Sequence, residues 1–344
     1  MLDNENILKQ RDPQNILGFI ASQPLQLKHN FGISTAHFSG PHIENVVFAG
    51  MGGSALVAEM AATWPALDVP FVVWKNYGLP SFVNRNTLVI CSSYSGNTEE
   101  TLSAIELAKH LGAQIVVIAD GGHLLDIAKA NGYIVAQIPP CPQPRLSVFY
   151  AYRALVEILI AAKLAPNHDI ADLEALARPL EEACAKWVPN APKEQNEAKQ
   201  LAEHMVGKTL IVYGGPLMYP AAYKWKISAN ENAKNTAWYG RLPEFSHNEF
   251  IGWSSHPVEK PFAVIDLLSS FEHPRVLKRF EVTDRMLSGM RPKAIQLQGQ
   301  GKTALEQMLY LVLLGDYTTT YLAVLNGVNP APVALIEKFK KELG

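Results

Sequence analysis

Ser93-Tyr94-Ser95-Gly96-Asn97-Thr98-Glu99-Glu100-Thr101 follows the apolar, β-branched run Thr87-Leu88-Val89-Ile90-Cys91 and opens a stretch of helical periodicity. The succession reads as strand, loop and helix start. Ser93, Ser95 and Thr98 bring three aliphatic hydroxyls into six residues around Gly96, and Thr98 with Thr101 is placed to cap a helix that begins near Glu99. The first-turn N–H groups and the positive end of the helix dipole would then face an incoming anion, and a phosphate is the expected guest. The loop has no lysine and no Gly-Lys-Ser/Thr pair, which separates it from the loop that grips a nucleoside triphosphate with magnesium. A monophosphorylated small molecule fits better. Standing alone, the same residues would also serve as an ordinary turn between strand and helix.

A second unit of the same kind stands upstream. Val46-Val47-Phe48-Ala49 runs into Gly50-Met51-Gly52-Gly53-Ser54 and then Ala55-Leu56-Val57-Ala58, the order expected of successive β-α units in a parallel sheet. In such a sheet both loops reach one edge, so Gly53 and Ser54 can converge with Ser93, Ser95 and Thr98 on one phosphate. A dinucleotide fingerprint is a weak reading, because its third glycine falls on Ala55 and Lys75 stands near the end of the next apolar run, Phe71-Val72-Val73-Trp74, where an acidic residue is required.

Composition sets the bounds. With 344 residues and 48% hydrophobic content the chain can bury two cores. Thirty basic against 32 acidic residues give a net charge of −2, and no basic stripe with interleaved aromatics suggests nucleic acid. Met1-Leu2-Asp3-Asn4-Glu5-Asn6 lacks the pattern of a signal peptide. The apolar stretch Leu309–Leu314 is expected to be broken by Gly315-Asp316 before it could span a bilayer, so the expected location is cytoplasmic. Cys91, Cys141 and Cys184 fit neither a disulfide framework nor a Cys-x-x-Cys metal site and read as buried thiols.

The strand and helix signals repeat. Val46–Ala49, Leu88–Cys91, Gln114–Ala119 and Tyr133–Ile138 precede an apolar helix from Ser147 to Ala165. Thr209–Tyr213, Phe262–Leu267 and Ala294–Leu297 precede another from Thr303 to Asn326. Asp169 to Ala202 reads as a polar helical connector interrupted by Pro179, Pro189 and Pro192. The expected architecture is α/β: two α/β/α sandwiches with parallel sheets, over 1–165 and 205–344, joined by a connector over 166–204, with a small-molecule site between the halves.

On Gly50-Met51-Gly52-Gly53-Ser54, Ser93–Thr98, Pro144-Arg145, Asn230-Glu231-Asn232-Ala233-Lys234, Glu244 with His247-Asn248-Glu249, and the terminal Ile336–Lys340, the chain resembles the sugar isomerase (SIS) fold and, more closely, the bifunctional phosphoglucose/phosphomannose isomerase family. The serine loop alone marks only the fold; the Glu231 and His247 motifs are the specific part. The resemblance implies a homodimer in which Glu231 transfers the proton and His247 reaches the site from the partner subunit.

Aldose–ketose isomerisation moves a proton between C1 and C2 through a cis-enediol, which needs one carboxylate for both carbons and a cation for the developing oxyanion. Glu231 and Arg145 supply these groups. Opening the cyclic sugar suits a near-neutral imidazole, His247, aided by an ammonium, Lys340. No metal and no cofactor is called for. Lys340 lies on a terminal helix whose Ile336, Phe339 and Leu343 are expected to form a docking stripe. Each residue also has a plain alternative as a surface group or helix-end charge. His204, His256 and His273 read as structural, and Tyr223, Trp225 and Trp238-Tyr239 as core or interface. The substrate expected is a hexose 6-phosphate of glucose, fructose or mannose. The rival is a non-catalytic sugar-phosphate sensor, which would not need Glu231 and His247 and would usually carry a basic helix-turn-helix. An amidotransferase would need a separate cysteine-nucleophile domain.

Overall fold

Helices α1 (Glu5–Arg11) and α2 (Ile16–Ser22) open the chain. The Asn4 side chain accepts from the N–H groups of Asn6 and Ile7 to start α1, and the Asp12 carboxylate accepts from Ile16 and Leu17 to start α2. The computed structural model describes residues 1–65, 67–165, 168–255 and 260–343. It divides into two compact units, one of Gln23–Arg178 and one of Met1–Ser22 with Pro179–Gly344. The two opening helices therefore pack with the second half of the sequence.

In the unit of residues 23–178, β1 (Asn45–Gly50), β2 (Phe71–Trp74), β3 (Thr87–Ser92), β4 (Gln114–Ala119) and β5 (Ile134–Gln137) form one sheet in the order β2-β1-β3-β4-β5, with every pair parallel. Helices α3 (Gly52–Thr63), α4 (Glu99–His110) and α5 (Gly122–Asn131) connect the strands, and α6 (Val148–Ala161) and α7 (Ile170–Ala175) follow. All six residues of β3 are buried, as expected of a parallel strand covered on both faces. Because β2 and β3 flank β1 on opposite sides, the strand order reverses there. The loops after β1 and β3 open a crevice at their carboxyl ends, where open α/β sheets bind ligands.

The second unit carries α8 (Ala177–Cys184), α9 (Glu197–Met205), β6 (Thr209–Gly214), α10 (Tyr219–Glu231), β7 (Ala237–Arg241), α11 (Glu249–Gly252), β8 (Phe262–Leu268), α12 (Pro274–Met286), β9 (Ile295–Gln298), α13 (Ala304–Leu325) and α14 (Ala334–Leu343). Its sheet is parallel in the order β7-β6-β8-β9. The polar connector read over 169–202 is built of short helices, α7, α8 and most of α9 among them. Edge strand β7 was not foreseen, because Ala237-Trp238-Tyr239-Gly240-Arg241 has no apolar run and Trp238 is 60% exposed.

One expectation is corrected along α13. Gly315-Asp316 does not break the helix, which runs through both residues and is long and apolar enough to cross a membrane. Instead it lies buried within its unit. Gly315 permits the close approach of α10: a Cβ there would stand 2.4 Å from Trp225 Nε1, which donates to the Leu311 carbonyl at 2.7 Å.

Candidate active site

The Ser93–Thr98 loop is held from several sides. Ser93 and Thr98 join through their hydroxyls, and the Gly96 N–H donates to Ser93 Oγ at 3.1 Å. The loop after β4 takes up the outer rim: Asp120 N–H donates to the Tyr94 carbonyl, Leu124 N–H to the Gly96 carbonyl, and His123 N–H to Asn97 Oδ1 at 3.0 Å. Gly96 has φ +68°, and a Cβ there would lie 1.7 Å from the Gly121 carbonyl oxygen. Only glycine fits.

The capping expectation needs correction. Thr98 occupies the N-cap position of α4, but its side chain bonds no helix N–H; it bonds Ser93 instead. Thr101 Oγ1 is buried and makes no hydrogen bond. The first-turn N–H groups of α4, which a helix cannot satisfy internally, are thus left uncapped by Thr98.

Gly53 and Ser54, in the first turn of α3, line the same small space as Ser92, Tyr94, Pro144 and Ser147. The glycine-ended loop after β1 and the serine loop after β3 therefore meet. Ser54 is partly covered and Ser95 is exposed. Arg145 sits in a short 3-10 turn, its Cα 3.8 Å from where a Cβ on Gly53 would lie. Its side chain is not at the surface: the residue is 1% exposed, and Nη1 donates to Gln143 Oε1 at 3.3 Å. A buried cation beside the anion loop is a costly arrangement unless it is partnered.

Tyr94 was missed by sequence reasoning. Its hydroxyl accepts the Cys141 N–H at 2.7 Å and donates to the Cys141 carbonyl at 3.2 Å, tying the serine loop to the proline-rich segment that leads to Arg145. Burial pushes this phenol up to about 12, so it stays a donor at neutral pH. The signal was an aromatic hydroxyl inside a loop of small residues. Cys141 itself is only half-buried, whereas Cys91 and Cys184 are buried as expected.

In the other unit, Glu231 is the last residue of α10 and lines a cavity of about 620 Å³ with Lys226, Lys234, Trp238, Leu335 and Ile336. Lys234, at φ +52°, is a second residue that sequence reasoning left without a role. Its ammonium donates to the carbonyls of Glu231 at 2.8 Å and Asn329 at 2.7 Å, so a cation closes the negative end of the helix beside the carboxylate.

His247 ends a 3-10 turn at Glu244–His247 and is exposed. Its loop is fixed on both sides, by Asn248 Nδ2 donating to Glu244 Oε1 at 2.7 Å and by the Tyr213 hydroxyl donating to Glu249. His247 does not line the Glu231 cavity. Lys340 does not line it either; it is exposed on α14. The expected docking of that helix does not occur within the chain. Ile336 is 44%, Phe339 62% and Leu343 60% exposed, and α14 has no buried residue. Among the other histidines, His273 caps α12 by accepting the Arg275 N–H, while His256 lies outside the described residues. Trp225 is core as expected, and Tyr223 stacks on Tyr239.

Among the described residues no group of three or more His, Cys, Asp or Glu side chains is placed to hold a metal ion. Residues 42–161 match the SIS domain model and 194–343 the bacterial phospho-glucose isomerase C-terminal SIS domain model. Over 303 residues, 87% of this chain and 90% of the relative, the chain is 35% identical to a bifunctional phosphoglucose/phosphomannose isomerase of Aquifex aeolicus. This chain belongs to that family. A relative of the same description from Caldicellulosiruptor bescii is 34% identical over 306 residues, 88% of this chain and 90% of the relative. A glucose-6-phosphate isomerase like protein from Thermus thermophilus shares the fold at a TM-score of 0.66 and 19% identity, over 99% of this chain and 98% of that one. The SIS match spans both loops that meet at Gly53 and Tyr94, and the isomerase match spans Glu231, His247 and Lys340.

Proposed function

We propose that this chain interconverts glucose 6-phosphate and fructose 6-phosphate, and also converts mannose 6-phosphate, through a cis-enediol. The phosphate is held by Gly53, Ser54, Ser93, Ser95 and Thr98 with the first-turn N–H groups of α4. Glu231 carries the proton between C1 and C2. Arg145 stabilises the oxyanion that develops as that proton leaves. His247 and Lys340 open the ring, and both are exposed, as groups awaiting a partner surface would be. The reading includes a cytoplasmic homodimer in which His247 serves the partner's site. Metal and cofactor have no step in it.

The observation that supports the proposal is the loop after β3, closed by the Ser93–Thr98 hydroxyl pair and packed where only Gly96 fits, in a chain of the isomerase family. A sensor that only binds phosphate would have no use for Glu231 and His247. Coupled assays on each of the three hexose 6-phosphates, with wild type and Glu231→Gln, test the activity. The variant should lose on the order of 10²–10⁴ in turnover; a folded variant with more than about a tenth of wild-type turnover rejects Glu231 as the base. Mixing inactive Glu231→Gln and His247→Ala chains tests the shared site. Regained activity supports donation across the dimer, and none after verified subunit exchange rejects it.

A further inference from the structure

Lys224 and Ser228 of α10 and its C-cap residue Asn232 recur every four residues and make one buried polar stripe against α13. The Lys224 ammonium donates to Asp316 Oδ1 and to Ser228 Oγ at 2.8 Å, and Ser228 donates to the same Asp316 oxygen at 2.7 Å. One turn on, Asn232 Nδ2 donates to Thr319 Oγ1 at 3.0 Å. Thr320 Oγ1, also within reach of Asn232, donates to the Asp316 carbonyl at 2.7 Å. All six side chains are buried.

We propose that this ladder positions Glu231 by locking α10 in rotation and register against α13. The inference rests on the assignment of Glu231 as the base. An apolar seam of the same volume would be no less stable, since a buried ion pair returns little beyond its desolvation cost, and apolar seams tolerate repacking before stability is lost. Directional bonds do not. Successive helix residues point about 100° apart, so fixing Asn232 against α13 turns its neighbour Glu231 off the seam and toward the cavity it lines. The Gly315-Asp316 pair thus has a purpose: the glycine lets the helices approach, and the aspartate keys them.

Replacing all three with apolar residues, Lys224→Met with Ser228→Ala and Asp316→Leu, tests the inference. Thermal midpoint should hold or rise. With fructose 6-phosphate, kcat should fall at least about tenfold while KM stays within about threefold, and amide exchange should quicken at residues 230–233. Thr319→Val with Thr320→Val, which keeps the side-chain shape, should give the same split and decides the matter should the first variant not fold. If kcat stays within twofold of wild type in the folded variants, the ladder does not position the base. Glu231→Gln measured alongside separates the two readings. An inactive Glu231→Gln with fully active ladder variants overturns this inference alone, whereas an active Glu231→Gln overturns the assignment of the base.

Discussion

Ser93 Oγ and Thr98 Oγ1 stand 2.8 Å apart, so the residue just after β3 and the N-cap residue just before α4 close the anion loop on each other. The loop is shaped before any ligand arrives, which limits the ordering cost of binding. Thr98→Val keeps the shape of the side chain and removes this bond together with a donor to phosphate. It should raise KM for hexose 6-phosphate by about 10- to 100-fold, the equivalent of about 1–3 kcal/mol. Inhibition by a phosphorylated sugar acid should weaken as much, and inhibition by its unphosphorylated form should not; equal loss of both would show that the loop does not read phosphate.

Tyr94→Phe removes one hydroxyl and two backbone partners, the N–H and the carbonyl of Cys141. The expected loss is about 1–3 kcal/mol of stability in the unit of residues 23–178, because a buried N–H is left unpaired. Since the same tie leads to Arg145, kcat should fall as well. Denaturant unfolding and steady-state kinetics on one preparation check both, and a variant with wild-type values in each would reduce Tyr94 to packing.

Gly96 and Gly112 share φ +68° but not their surroundings. A Cβ on Gly112 meets nothing within 4 Å, whereas one on Gly96 runs into the Gly121 carbonyl. Gly112→Ala should cost about 1 kcal/mol, the ordinary penalty for a left-handed alanine. Gly96→Ala should abolish soluble folded protein or binding altogether. Similar melting curves and similar activity for the two variants would contradict the packing described for the loop.

Asp266, buried in β8 with Arg291 Nη2 3.9 Å away, is raised to about 7, first by burial and against the pull of Arg291. A carboxyl raised in the folded state contributes stability that is complete below its unfolded value near 3.8 and is lost as pH climbs through 7. Stability should therefore decline between about pH 4 and pH 7, and Asp266→Asn should flatten that part of the profile. Urea unfolding at closely spaced pH values shows which holds, and an unchanged slope in the variant would remove Asp266 as its source.

Much of this was legible in the residues. The apolar run Leu88–Cys91 within β3 and the hydroxyl loop after it could be read because a two-sided parallel strand leaves a continuous apolar signal and a phosphate loop leaves a compositional one. Thr303 and Asn326, named as the ends of the last long helix, are its N-cap and C-cap. What escaped depends on contacts distant in sequence. β7 is an edge strand with one buried residue. Thr98 had two possible partners, and Ser93 outcompeted the helix N–H groups. The burial of Arg145 follows from the loops that cover it. The apolar spacing of Ile336, Phe339 and Leu343 is real, but periodicity reports an apolar face without saying what covers it.

Residues 1–22 belong to the unit built by residues 179–344, and the tie is chemical: Asp3 Oδ1 accepts from the wholly buried Lys199 ammonium at 2.8 Å, and Arg11 donates to the Val324 carbonyl. During synthesis the stretch of residues 23–178 emerges whole and can fold at once, while the first 22 residues wait for α9 and α13 to leave the ribosome. At about 5–20 residues per second, that interval lasts about ten seconds or more. Over that time Leu8, Ile16, Leu17 and Ile20, all core residues at the end, travel as an unpaired apolar segment.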